Sequence, residues 1–175
     1  MTVKQKKMIL DWMRKIHQLE YAHRYESVMW ANWETWIGLS AFIISIIIAF
    51  SYGFPALNNN NNNVPFYFKL NFLIPFLSLI VALLTGMQTF LKPNEQSETH
   101  KKTAAHYEKL RHRIELILTT DHSEQELTAK LENLKEDWES LDSINVSSRN
   151  FDRGKQKAKS FNKYPKELDF LEDVI

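Results

Sequence analysis

The chain of 175 residues has no cysteine and only four glycines. Without cysteine it forms no disulfide and has no thiolate chemistry. With so few glycines it has no glycine-rich loop to cradle a phosphate, and it has no HExxH zinc motif. Its 22 basic and 21 acidic side chains nearly balance, so the overall charge indicates no class of partner. We therefore expect no catalytic site, no bound metal and no cofactor.

Three of the six histidines lie on one stretch that is predicted to be helical. His100, His106 and His112 are spaced by six residues, which turns each about 240° from the last on a helix with 3.6 residues per turn. Side chains that point in such different directions do not share a metal ion. We expect these histidines to be solvated or to lie at helix contacts.

Charge is missing from two long stretches. Trp36 to Phe68 contains no charged residue, Leu70 to Leu91 contains none, and only Lys69 separates them. At about 1.5 Å per residue, the apolar runs 36–54 and 70–91 each reach roughly the ~30 Å thickness of a bilayer core. The first run begins too deep in the chain to be a cleavable signal peptide. We predict two transmembrane helices, with a soluble two-helix core as the alternative.

The segment between the apolar runs predicts a hairpin exposed to water. Residues 55–69 contain six consecutive asparagines, Asn58 to Asn63, and the backbone of such a turn would find no partners inside lipid. Basic residues cluster before the first run and after the second, whereas the loop has only Lys69. The positive-inside rule then predicts a multi-pass membrane protein with both termini in the cytoplasm.

The flanking regions predict further helices. Residues 1–30 form an amphipathic cytosolic helix that could continue into the hairpin of residues 31–92, and it either lies on the membrane or packs against other helices. Residues 93–144 contain two helical segments, the second starting with a capping box at Ser123 and Glu126. Apolar residues spaced by three and four form a packing seam on this region: Tyr107, Leu110, Ile114, Leu131 and Trp138.

The final segment, 145–175, divides into a basic arm and an acidic end. We interpret the basic arm as a linker or mobile arm. Its cations could contact anionic lipid or the phosphates of a nucleotide or RNA. The residues concerned are Arg149, Arg153, Lys155, Lys157, Lys159 and Lys163.

Both apolar runs carry a stripe of small or polar residues. The first run has one small residue every four positions, at Ala41, Ser45, Ala49 and Gly53, which favours close helix packing. The second has polar residues along one face, at Asn71, Ser78, Thr85 and Thr89. This second stripe is either another packing seam or the lining of a water-filled path. Two helices cannot enclose a pore, so the pore interpretation requires a homo-oligomer.

The stretch ETHKKTAAHYEKLRHRIELIL, which follows the hairpin directly, resembles the SLATT domain family. The similarity covers roughly residues 10–142, and the positions that carry it are His100, Ala105, Tyr107, Leu110 and Ile114. The resemblance implies two membrane helices with a cytosolic helical extension. It also implies a pore-forming effector of prokaryotic conflict systems, whose genes lie beside nucleotide-signal synthetases and, in some lineages, reverse transcriptases.

Together with what this resemblance implies, these patterns predict a pore-forming effector of an antiphage system that permeabilises the inner (cell) membrane when it is triggered. Its expected partners are membrane lipid, further copies of itself, and either a nucleotide second messenger or a signal-producing enzyme or reverse transcriptase encoded nearby. The chief alternative is a membrane scaffold that never conducts and recruits a partner through its cytosolic helices. An enzyme is the third and weakest interpretation.

Overall fold

The computed structural model describes residues 2–53, 64–142, 144–162 and 164, with the backbone alone described at 51–53 and 64–72. Within these residues α-helices are the only regular elements, which confirms the predicted all-α class. The described residues form five α-helices: α1 Val3–Gly53, α2 Val64–Leu91, α3 Pro93–Thr119, α4 Glu124–Glu139 and α5 Ser148–Ser160. The predicted asparagine run, Lys163 and the acidic segment 165–175 lie outside the described residues.

The chain divides into two compact units that share α1. One unit comprises residues 1–29 and 97–175, and we name it the cytosolic bundle after the location predicted for its helices. The other, the hairpin unit, comprises residues 30–96. The first half of α1 belongs to the bundle and the second half to the hairpin. No proline and no glycine precedes Gly38 in α1, so nothing in the backbone interrupts the helix as it passes from one unit to the other.

The hairpin helices differ from the prediction at one boundary. Residues 64–69 were expected in the loop, but α2 already begins at Val64. Pro65 is compatible with this start because the first turn of a helix does not need the backbone N–H that proline lacks. The predicted break after the second span is confirmed: α2 ends at Leu91, Lys92 has the left-handed φ of 44°, and α3 begins at Pro93.

Helix α4 begins as predicted, whereas α5 lies where a linker was predicted. The capping box of α4 is confirmed: Ser123 Oγ accepts a hydrogen bond from the Glu126 N–H, and the Glu126 side chain accepts one from the Ser123 N–H. The interpretation of the basic arm as a linker is wrong for residues 148–160, which form α5. The small and polar residues that suggested a linker are buried on one side of this helix, at Asn150, Gly154 and Ala158.

The cytosolic bundle has one apolar core to which α1, α3 and α4 contribute. Its fully buried members are Ile9, Met13, Ile16, Tyr107, Leu110, Ile114, Ile117, Leu127 and Leu134, and the partly buried side chains around them include Leu131 and Trp138. The predicted seam therefore lies inside this bundle. Of the two interpretations of residues 1–30, packing against other helices is the one seen.

In the hairpin unit most apolar residues are exposed, whereas in the bundle they form a buried core. An 18-residue window reaches a mean hydropathy of 1.8 in α1 and of 1.9 in the segment that starts at Leu73 in α2. Only 11% of the α1 window and 0% of the α2 window is buried by the protein. Both helices are long and apolar enough to cross a membrane, and they lack the cover that the core helix of a soluble protein has.

Candidate functional site

The hairpin packs with α1 and α2 antiparallel. A Cβ added to Gly38 would lie 3.6 Å from the side-chain nitrogen of Gln88, so the start of the apolar part of α1 lies beside the end of α2. On each helix the covered positions recur every three or four residues, as expected where two helices pack. The buried or half-buried row is Ile37, Ala41, Ile44 and Ile48 on α1, and Ile74, Leu77, Val81, Leu84 and Gln88 on α2.

The small-residue stripe of α1 lies only partly in this contact. Ala41 is buried, whereas Ser45 and Ala49 are exposed within one chain, and Gly53 is the last residue of α1. Ser45 Oγ donates a hydrogen bond of 2.8 Å to the carbonyl oxygen of Ala41. The contact inside the hairpin therefore leaves Ser45 and Ala49 uncovered.

The polar stripe of α2 is exposed along its described length. Ser78, Thr85 and Thr89 are all exposed within one chain, and the side chain of Asn71 lies outside the described residues. Each hydroxyl donates to the carbonyl four residues earlier, at 2.9 Å in all three cases. These back-bonds satisfy the donors, while the hydroxyl oxygens keep lone pairs that water or a neighbouring helix could use.

The two stripes lie on the same side of the hairpin. At about 100° per residue, each stripe is displaced by roughly a quarter of a turn from the packed row of its own helix, in the same rotational sense along the chain. Because the helices run antiparallel, the same sense of rotation brings both stripes to one side. The described members of this polar face are Ser45, Ala49, Ser78, Thr85 and Thr89.

The cytosolic bundle contains a buried polar layer that the sequence analysis did not predict. His23 on α1 and His100 on α3 are 1% and 2% exposed, and their Nδ1 atoms lie 2.9 Å apart. One Nδ1 must donate and the other accept, so at least one ring is neutral. The ring of Tyr107 stacks on His23 with centroids 5.5 Å apart. The expectation of helix-contact histidines therefore holds for His100.

Burial and charge keep this pair neutral. Burial, followed by repulsion from His100, lowers the pKa of His23 from 6.5 to about 4, and Glu26 opposes the shift. Burial also lowers the pKa of His100 against the same carboxylate. Burial alone would raise the pKa of Glu26, but hydrogen bonds from Ser147 and Asn150 outweigh it and lower that pKa.

Helix α5 docks on α1 through Glu26 and a very close helix contact. The Ser147 N–H, at the start of α5, donates a hydrogen bond of 2.6 Å to Glu26 Oε1. A Cβ added to Gly154 would lie 2.5 Å from the carbonyl oxygen of Gln18 and 2.8 Å from the backbone nitrogen of Ala22. Only glycine allows the two backbones to approach this closely.

Five of the six basic residues of the predicted arm lie on α5. Arg153 lies over the ring of Tyr25, at 5.1 Å from its centroid, and Lys157 lies 5.1 Å from the centroid of Phe161. Arg149, Arg153, Lys157 and Lys159 are exposed, and Lys155 is half-buried. Two cations of α5 therefore lie beside aromatic rings, one on α1 and one on the residue that follows α5.

Within the described part of the chain, no cluster of three or more histidine, cysteine, aspartate or glutamate side chains could hold a metal ion. His106 is exposed and lies apart from the pair formed by His23 and His100. The pairing of histidines from two helices could have been found only by predicting which faces of α1 and α3 meet.

No family model matches the chain, and no curated protein or solved structure matches it. The resemblance to the SLATT family therefore stays a prediction.

Proposed function

We propose that this chain is a membrane effector that assembles into an oligomeric pore and permeabilises the inner membrane when it is triggered. The observation that carries the proposal is the polar face: hydroxyl and small side chains aligned on one side of an otherwise apolar hairpin that the protein leaves uncovered. In a ring of hairpins with this face inward, water would contact the hydroxyls while the apolar side chains contact lipid.

The resemblance to the SLATT family supports a role in antiphage defence. In such a role the cytosolic bundle receives the trigger, a nucleotide signal or a partner protein, and the hairpin is the output. The clustering of basic residues outside the loop supports a cytoplasmic location for both termini. The chain has no cysteine, so a single cysteine introduced at Asn61 should react with an impermeant reagent in intact cells, and one at Thr2 should not.

The function is tested in cells by changes to the polar face. We expect Ser78→Leu and Thr85→Leu to abolish toxicity and loss of membrane potential on overexpression, because apolar side chains favour a dry path. Insertion should persist because each change makes α2 more apolar. Phe76→Leu is the control, since Phe76 is exposed on α2 away from the polar face. Equal toxicity of all these variants would contradict the proposal.

One observation favours the alternative of a scaffold that does not conduct. Every described hydroxyl of the polar face donates to its own helix backbone, so none needs water. A scaffold would keep its function with leucine at Ser78 and lose it through changes in the cytosolic bundle. The seam offers such a scaffold little surface, because Tyr107, Leu110 and Ile114 are buried in the core of their own bundle.

A further inference from the structure

The cytosolic bundle contains a cavity with a mixed apolar and basic lining. It has a volume of about 400 Å³ and lies between the last turns of α3 and the middle of α4. This volume falls within the range of roughly 300–1,000 Å³ that is common for small-molecule sites. None of the eight residues that line it is acidic.

Three leucine and isoleucine side chains form the apolar part of the cavity. Ile117 and Leu134 belong to the buried core, and Leu116 is 64% exposed although it is a large apolar residue outside the membrane hairpin. An apolar ligand in the cavity would remove Leu116 from water while resting on the core. Burial of apolar surface is a favourable contribution to binding.

Two basic side chains, Arg113 and Lys130, belong to the polar part of the lining. Arg113 pairs with Asp137, an ion pair that joins α3 to α4 beside the cavity. Lys130 has no carboxylate within ion-pair distance among the described residues, and its ammonium lies 3.3 Å from His122 Nδ1. An ammonium group only donates, so His122 accepts at Nδ1 and carries its ring proton on Nε2. That Nε2 is buried and lacks a hydrogen-bond partner within the described part of the chain.

The cavity therefore combines a cation that has no carboxylate partner among the described residues with an apolar floor. Thr120 and Asn133 add a hydroxyl and an amide to the lining. We propose that this cavity binds a small anion attached to an apolar body, such as an organic monophosphate, with the anion at Lys130 and the body against Leu116. A nucleotide and a lipid-derived alkyl phosphate share this chemistry. The site does not depend on the chain forming a pore.

Binding is tested by calorimetric titration of the purified full chain in lipid nanodiscs, with empty nanodiscs as the blank. The probes are AMP, hexyl phosphate, adenosine and inorganic phosphate. We expect AMP or hexyl phosphate to bind at least tenfold more tightly than adenosine and inorganic phosphate, because only the organophosphates contact both parts of the lining. Preference for AMP assigns a nucleotide ligand, and preference for hexyl phosphate assigns a lipid-derived one.

Two variants localise the binding to this cavity. Lys130→Gln should weaken the preferred organophosphate about tenfold, the size of effect expected for loss of one charged hydrogen bond. Lys135→Gln is the matched control, because Lys135 lies on the same helix, pairs with Glu139 and does not line the cavity. Leu116→Asp, at an exposed position that should preserve folding, should abolish binding by placing a carboxylate at the cavity.

Three results would overturn the proposal. Equal affinities of the Lys130 and Lys135 variants would place any binding elsewhere. Inorganic phosphate that binds as tightly as the organophosphates would mean that the apolar floor plays no part. Absence of heat change for every probe at millimolar concentration, in protein whose helix content by circular dichroism is intact, would show that the cavity has no such ligand.

Discussion

Ile16 and Phe42 are large apolar residues of the same helix, yet their surroundings are opposite. Ile16, in the cytosolic bundle, is 0% exposed, and Phe42, in the hairpin unit, is 63% exposed. In the bundle, even charged side chains such as Glu20 are buried beneath helices that cover α1 from several sides. In the hairpin, only 11% of the apolar window of α1 and 0% of that of α2 is buried by the protein. The contrast shows that the two halves of α1 have different surroundings. Other helices of the protein cover the first half, and we propose that lipid covers the second.

The largest effect is expected where the bundle buries a charge. Glu20 forms ion pairs of 2.9 Å with Arg24 and with Arg111, and its Oε2 accepts a hydrogen bond from Arg111 Nε. Glu20→Ala should lower the free energy of unfolding of the bundle by about 3 kcal/mol, because it leaves the Arg111 guanidinium half-buried without its main partner. Chemical denaturation of the purified chain in detergent, followed by Trp fluorescence, measures the change.

The control for this variant is Glu108→Ala. Glu108 also pairs with Arg24, but its side chain is 38% exposed, so its loss should change stability little. Equal destabilisation by the two variants would mean that burial of charge does not distinguish the bundle.

The next effect concerns the close contact of α5 with α1. Gly154→Ala should destabilise the docking of α5 by about 1–3 kcal/mol, since the added Cβ meets backbone atoms of Gln18 and Ala22 that cannot rotate away. Hydrogen exchange of the α5 amides should accelerate while exchange in α2 stays unchanged. Gln156→Ala, at an exposed position of the same helix, should leave exchange unaltered. Unchanged, slow exchange of the α5 amides in Gly154→Ala would show that the contact at Gly154 does not anchor α5.

A smaller effect should appear on acidification, again in the bundle. The pKa of His23 is 6.5 when it is unperturbed and about 4 in the folded bundle, so between these values the unfolded chain binds more protons than the folded one. The bundle is therefore most stable above about pH 6.5 and loses stability as the pH decreases toward 4. His23 alone contributes a loss of at most about 1.4 kcal/mol per pH unit, and the lowered pKa of His100 acts in the same direction. The lowered pKa of Glu26 acts in the same direction at lower pH.

Denaturation between pH 7 and 4 measures this dependence, and His23→Gln should flatten it. His106→Gln, at an exposed histidine outside the pair, should keep the wild-type slope. A slope that is the same in both variants would contradict the role of the buried pair.

The smallest effect on one chain is expected in the hairpin. Ser45→Leu and Ala49→Leu alter exposed positions, so they should leave the unfolding of a single chain almost unchanged. They should nevertheless disrupt assembly, because bulk on the polar face prevents close approach of another helix. Native mass spectrometry from detergent reports the subunit number, with Ile46→Leu as the control. Normal assembly of the leucine variants would remove the polar face from the contact between copies.

Much of the fold follows from local sequence, because periodicity and breakers act over a few residues. The two apolar runs, the break at Pro93 and the capping box at Ser123 each depend on neighbouring positions. Helix α5 was missed because its buried face consists of Asn150, Gly154 and Ala158, which are small or polar and give no hydrophobic periodicity. These small side chains let α5 approach α1 closely, and that contact joins residues that are far apart in the sequence.

The sites were predictable to different degrees for the same reason. The polar face on α2 repeats along one helix and can be read from spacing alone. Its alignment with the stripe on α1 required the packing of the hairpin. The pair of His23 and His100, and the cavity at Lys130, join residues from different helices, so no single periodic pattern indicates them.

Ion flux from liposomes that contain the purified chain at rising density tests the central claim most directly. We expect flux to rise more steeply than in proportion to density, because a pore requires several copies, and we expect Ser78→Leu to lower it at least tenfold. Ser78→Asp should instead give a cation-selective path. Flux that is absent at every density with the trigger present and insertion verified, or that is the same in Ser78→Leu as in the wild type, would contradict the pore and leave the polar face as a packing surface.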